Sequence, residues 1–421
     1  MNEIHADIAD ENFGRALIRL WLLAESTING VQQLSHWLTT FDTKRNSEEV
    51  EWLTGVLDKG GSLSSVNGTS PLALIAALDN HVAGNTQGVW SPGNSVTLEH
   101  DDCTYWLVRR DTPPKPEIPA ERQNPNLEHW FRHFRVIPSR IKLGGANIDI
   151  ELKVLNDVSV RAPRSADPTI SVRFTHFDDG VALCVARDIS KAQFHATGVS
   201  DTGQRSLSLR AEFDLACNNG AQLWVVPELS ATAAMRTEVA GWLADLSGKE
   251  LRPLLCVPGS FHDELDGTRV NRAEIIDSVG RVVSRHDKLT QFSFNMDGIT
   301  LTEGITVSRR IELLVTPIGI VGIAICKDFS DAATEIVNVA WNRLAPDWLL
   351  VPSMGDNKKT MTLHRSRAED HWKMRGTRCV VANQAPHIDG NPAPPEPAPG
   401  FVSPEKSIAL AKRRMNLKRI K

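Results

Sequence analysis

Three polar residues of catalytic type each close a strand-like run: Glu228 ends AQLWVVPE, Lys288 ends RVVSRHDK and Cys326 ends GIVGIAIC. Together they describe nucleophilic acyl transfer. A thiol at neutral pH is mostly protonated and becomes a nucleophile only beside a base or a cation. Here a carboxylate would take the proton and an ammonium would stabilise the negative charge that follows. Any one of the three taken alone reads more simply: a buried inert thiol, a solvated lysine, a loop carboxylate.

Residues so far apart in the chain can meet only if the fold brings their strand ends together, and open sheets gather ligands at the carboxyl ends of their strands. From about Val172 the sequence supplies such strands. VALCVARDI, LWVVPEL, LRPLLCVPGSF, RVVSRHDK, GIVGIAICKDF, DWLLVPSM and CVVANQ are short runs rich in Val, Ile and Leu, several of them separated by amphipathic stretches. That alternation describes strands buried on both faces of a sheet, in an α/β or layered α+β domain. The N-terminal part reads differently. Phe13, Leu17, Leu20 and Trp21, then Val31, Leu34 and Trp37, stand at helical spacings over 12–40, with further helical segments near 48–57 and 71–81. Strand-like runs follow at 94–110, and the proline-rich TPPKPEIPAERQNPN reads as a linker. The expected organisation is a mainly helical domain over 1–112, a connecting segment over 113–168 with weak strand signals, and a third region over 169–421.

The segments AQLWVVPELS, GRVVSRHDKLTQF, GIVGIAICKDFSD, DWLLVPS and SRAEDHWKMRGTRCVVANQ together resemble, in order, the landmarks of the nitrilase superfamily of carbon-nitrogen hydrolases. The resemblance runs from about Val172 to Gln384. It implies an α-β-β-α sandwich, so that the whole chain would be α+β with a helical N-terminal domain. It also implies a Glu-Lys-Cys triad at Glu228, Lys288 and Cys326, and puts the second glutamate of many members on Glu303 in ITLTEGI. On that reading Cys326 forms a thioester with a small amide or carbamoyl substrate. The oxyanion rests against Lys288 and the backbone N–H of Lys327, and Glu303 orients Lys288. Lys327-Asp328 after the cysteine resembles the amidase and carbamoylase branches, whereas nitrilases carry Trp there. Asp328 itself reads as a helix cap. The family habit implies a homodimer or higher homo-oligomer. In place of the family's usual last segment this chain has the proline-rich stretch from His387 to Gly400 and a basic end, LAKRRMNLKRIK, which reads as a solvated helix face or frayed tail.

Composition narrows the alternatives. A formal net charge of -4 supplies no field to gather nucleic acid or an anionic membrane. The first residues are acidic and no long apolar run follows, so the expected location is the cytoplasm. Six scattered cysteines without a C-x-x-C pair fit a reducing compartment. The histidines, His364 and His371 among them, show no metal-ligand spacing, and no phosphate-binding glycine loop occurs, so no cofactor is expected. KGGSLSSVNG at 59–68 reads as a flexible loop. A competing reading keeps the same domain as a binding or sensing module in a larger complex, with the helical N-terminal part meeting a protein partner.

Overall fold

The computed structural model describes residues 2–28, 31–33, 37, 43–59, 70–85, 96–110, 131–155, 170–177, 180–246, 252–296, 298–330, 335–356, 359–388, 400–404 and 417–420. Both proline-rich stretches and the loop at 59–68 fall almost wholly outside these. The chain divides into two compact units, Met1–Arg140 with Met374–Gly376, and Ile141–Lys373 with Thr377–Lys421.

In the first unit, helices Asn2–Ala9, Phe13–Glu25, Thr43–Asp58 and Pro71–Asn85 gather Leu17, Leu20, Trp21, Leu53, Leu72, Ile75 and Leu78 into one core. An antiparallel three-stranded sheet, Val96–His100, Cys103–Arg109 and Phe134–Pro138, adds Leu98, Leu107 and Val136 to it. The expected helix over 12–40 is interrupted after Glu25, and helical residues reappear at Gln33 and Trp37. Between them Thr27–Ile28 pairs with Val31–Gln32, on either side of an Asn-Gly dipeptide, the strongest short hairpin signal in a sequence, which overrides the apolar spacing at Val31. Leu34 lies outside the described residues.

The second unit contains, among its described residues, two seven-stranded sheets and a five-stranded one. In the first sheet Ile170–Phe174, Leu223–Val225 and Leu255–Val257 run parallel, with Thr268–Asp277, Ser260–Leu265 and Val282–Asp287 added antiparallel. Trp348–Met354 lies between Gly319–Ile323 and Arg378–Gln384 in the second, all parallel. Alternation along each strand sorts the side chains. Val172, Leu223, Val225 and Val257 of the first sheet meet Val321, Ile323, Leu350 and Val380 of the second in a shared core. Trp224, Val226, Cys256 and Ile276 point the other way, onto helices Thr202–Asn218 and Ala233–Asp245 through Leu209, Phe213, Met235 and Val239. Those two helices start at Asp201 and Thr232, whose side chains accept from Gln204 N and Met235 N. On the far side of the second sheet, Trp341 of helix Ile336–Leu344 lies over Gly322, where a Cβ would come within 2.9 Å of the ring. The layers are therefore helix, sheet, sheet, helix.

The weak strand signals before residue 168 divide at residue 140. Phe134–Pro138 belongs to the first unit, and Ala146–Val154 pairs with Arg310–Thr316 in the second. The basic end is neither helix nor frayed tail where it is described. Leu417–Ile420 pairs antiparallel with Ile170–Arg173, supplying main-chain partners to what would otherwise be a sheet edge. No described helix is long and apolar enough to cross a membrane.

Candidate active site

Cys326 follows strand Gly319–Ile323, whose parallel pairing continues past its end through Ala324 N to Leu350 O at 3.1 Å and Cys326 N to Pro352 O at 2.9 Å. The cysteine then turns into the four-residue helix Lys327–Ser330 with φ at +47°, a left-handed conformation that costs a residue with a Cβ about 1–2 kcal/mol. Strain of this kind holds only where the surroundings fix it. Glu228 sits at a second sharp corner, beyond strand Leu223–Val225 and just before Leu229, whose φ is +53°. Its N–H donates to Ser353 O at 3.3 Å, and Leu229 N donates to Ser260 O at 2.8 Å. That corner presses on Gly259. The glycine has φ +83°, and a Cβ on it would lie 2.5 Å from Pro227 O.

Lys288 ends strand Val282–Asp287 and is 1% exposed. Its ammonium donates to Glu228 Oε1 and to Glu303 Oε2, both at 2.8 Å. Burial works against its charge, but the two carboxylates outweigh that and hold its pKa well above the ordinary lysine value. Glu303, at the end of strand Ile299–Glu303, is saturated. Oε2 accepts from Lys288 and from Phe292 N at 3.0 Å, while Oε1 accepts from His262 Nε2 at 2.8 Å and Asn271 Nδ2 at 3.0 Å. Burial would raise this carboxyl, yet the ammonium and the histidine hold it well below its ordinary value. Because Ala196 N donates to His262 Nδ1 at 2.9 Å, the imidazole proton sits on Nε2 and points at Glu303.

Glu228 is different. Its Oε1 accepts from Lys288 and from Asn271 Nδ2 at 2.9 Å, and its Oε2 has no partner among the described residues. One carboxylate is locked and the other keeps an oxygen for chemistry. Lys288 likewise spends two of its three N–H groups and keeps one. The Cys326 thiol is pushed up to about 12 by burial and by the nearby Glu228 charge, against the pull of Lys288. It rests as a thiol, its sulfur 3.7 Å from Met354 O.

All four residues singled out from the sequence thus fall in one buried cluster, three of them joined directly through the lysine. Lys327 opens the short helix, where first-turn amides lack helical partners, and its side chain donates to Gln291 O at 2.9 Å. Asp328 does not cap the next helix, which begins at Ile336 behind Glu335. It is buried and accepts from Leu289 N at 3.1 Å and Thr290 Oγ1 at 2.7 Å, tying the turn after Lys288 to the turn after Cys326. Sequence reading missed Asn271 and His262. They are cross-strand partners in the hairpin of Ser260–Leu265 and Thr268–Asp277, and a signal for them existed. Asp266-Gly267, both at positive φ, is a hairpin dipeptide, and counting outward from it sets His262 opposite Asn271. Among the described residues no group of histidine, cysteine and carboxylate side chains could hold a metal ion.

No protein-family model matches the chain, and no curated protein matches it. Solved structures do. An amidase from Nesterenkonia sp. AN1, in a glutamate variant with the acetamide moiety of fluoroacetamide added at the active-site cysteine, is 17% identical with a TM-score of 0.36, covering 55% of this chain and 80% of that one. The same amidase in a cysteine variant with butyramide is 16% identical, TM-score 0.36, covering 57% and 82%. That amidase is of the nitrilase superfamily.

Proposed function

We propose that the second unit is a thiol-dependent hydrolase of a non-peptide carbon-nitrogen bond, acting on a small amide or carbamoyl substrate. The observation that carries the reading is the asymmetry between the glutamates: Glu303 has no oxygen to spare, while Glu228 Oε2 is without a partner among the described residues, near a protonated thiol. Glu228 takes the Cys326 proton as the sulfur attacks the carbonyl carbon. The oxyanion is met by the third N–H of Lys288 and by the Lys327 backbone N–H, donors fixed before the charge develops. Glu228 returns the proton to the leaving nitrogen as the carbon-nitrogen bond breaks, which leaves a thioester on Cys326. It then removes a proton from water, whose oxygen attacks the thioester; the carbon-sulfur bond breaks, the acid leaves, and Glu228 passes the proton to the Cys326 sulfur to restore the thiol. Glu303 keeps Lys288 charged and aimed and transfers no proton. We infer that the first unit, Met1–Arg140, serves recognition or assembly.

The test is ammonia release from a panel of small amides and carbamoyl compounds by the purified intact chain and by Cys326→Ala. Loss of release in the variant is the expected result. Equal release from every compound would sink the reading.

A further inference from the structure

Ser353 is placed where three contacts of the site converge. It lies near the end of strand Trp348–Met354, and its carbonyl accepts the Glu228 N–H. The carbonyl before it, Pro352 O, accepts the Cys326 N–H, and the one after it, Met354 O, faces the Cys326 sulfur. Its own hydroxyl is 2.8 Å from His364 Nε2, a side chain of helix Thr360–Arg375, and both residues are fully buried.

His364 decides which way that hydroxyl donates. Its other nitrogen, Nδ1, is buried with no partner among the described residues, and the Phe329 ring stands edge-on to the imidazole at 5.4 Å between centroids. Burial lowers the imidazole to about 4, so it carries one proton at neutral pH. A proton on Nδ1 would leave a buried N–H with no acceptor, whereas a proton on Nε2 is given to Ser353 Oγ. With its oxygen already accepting from the histidine, the Ser353 O–H turns its own proton elsewhere. The resting thiol donates to Met354 O and needs nothing. A thiolate or departing thioester sulfur needs a donor, and Ser353 stands between the residue whose carbonyl meets the Cys326 N–H and the residue whose carbonyl meets the Cys326 sulfur.

Resting on the reading of Cys326 as nucleophile, we propose that Ser353 is a further catalytic residue whose hydroxyl donates to the Cys326 thiolate, and that His364 is a positioning residue that aims it. The relay is a donor chain, His364 Nε2–H to Ser353 Oγ, then Ser353 O–H to Cys326 Sγ, and no proton leaves it.

Iodoacetamide alkylation of Cys326, followed by mass spectrometry across pH, measures this without any turnover. Below its plateau, the alkylation rate of Ser353→Ala is expected to fall about ten-fold at each pH, a displacement of about one pH unit, because a hydrogen bond to a charged group is lost. His364→Leu shifts the profile in the same direction. His364→Gln, which keeps a side-chain N–H, restores most of it, and the double variant Ser353→Ala with His364→Leu is no slower than Ser353→Ala. Profiles of the single variants that overlay the wild type would overturn the proposal. Should these variants not fold, nitrogen-15 NMR of histidine-labelled wild type still decides it: an Nε2–H tautomer at His364 supports the relay and an Nδ1–H tautomer rules it out. Alkylation shifts without hydrolysis of any amide would leave this inference standing and remove the hydrolase reading.

Discussion

Asn271 spans two carboxylates with a single amide nitrogen, Nδ2 lying 2.9 Å from Glu228 Oε1 and 3.0 Å from Glu303 Oε1. The bridge separates like charges that would otherwise face each other across the lysine. It also fixes which oxygen of Glu228 stays free.

Replacing Asn271 by Asp puts a third carboxylate between the first two. The expected result is a loss of hydrolysis of about 100-fold or more in kcat/KM, since two charge-assisted hydrogen bonds worth about 1.5–3 kcal/mol each become repulsions. Steady-state kinetics on whichever amide the wild type hydrolyses checks it; an unchanged kcat/KM would mean that the bridge is idle.

Lys288→Met should be strongly destabilising. It leaves Glu228 and Glu303 buried without their counter-ion, a change that typically costs about 3–5 kcal/mol. Urea unfolding at neutral pH measures it, and a loss below about 1 kcal/mol would contradict the charge accounting of the site.

Gly259→Ala should lower activity before it abolishes folding. The added methyl meets Pro227 O at the corner that carries Glu228, and φ at +83° strains any alanine there. Kinetics with a parallel thermal melt separate the two effects; full activity would show that the Glu228 corner can move without consequence.

Asp79 gives the first unit a pH dependence. Fully buried on helix Pro71–Asn85, it is raised to about 7 by burial, although Arg132 N and His133 N each donate to its Oδ2 at 2.9 Å. Its pKa is then above the unfolded value, so the folded chain holds a proton that the unfolded chain has released. Stability is fully present below about pH 4, falls as pH rises and is lost through about 7. Urea midpoints between pH 4 and 8 should show Asp79→Asn gaining on the wild type as pH increases. Parallel curves for the two proteins would refute it.

The layered part of the fold was legible because many of its strands are short runs rich in Val, Ile and Leu, and Glu228 and Cys326 stood out because each interrupts such a run at its end, while Lys288 closes a more polar strand. Glu303 has no such mark and was reached through resemblance; its partners come from four separate segments, a convergence that no single run encodes. His262 and Asn271 were legible in principle through their hairpin. Ser353 and His364 were not, because one hydroxyl at the end of an apolar strand and one histidine on a polar helix acquire meaning only when packing puts them 2.8 Å apart. Asp328 misled for the opposite reason. A carboxylate just after a strand is ordinarily a cap, and only its burial against Leu289 and Thr290 shows it as a tie between turns.

The left-handed backbone at Cys326 reaches beyond strain, since it decides which side chains position 326 could ever carry. Cysteine and serine place a single γ atom and can occupy that conformation, whereas a branched Cβ makes it a true outlier. Threonine is thereby barred from the corner although its hydroxyl could in principle do a related job. The turn works as a sieve on the history of the site, leaving exchange between sulfur and oxygen open and closing the route to a secondary alcohol.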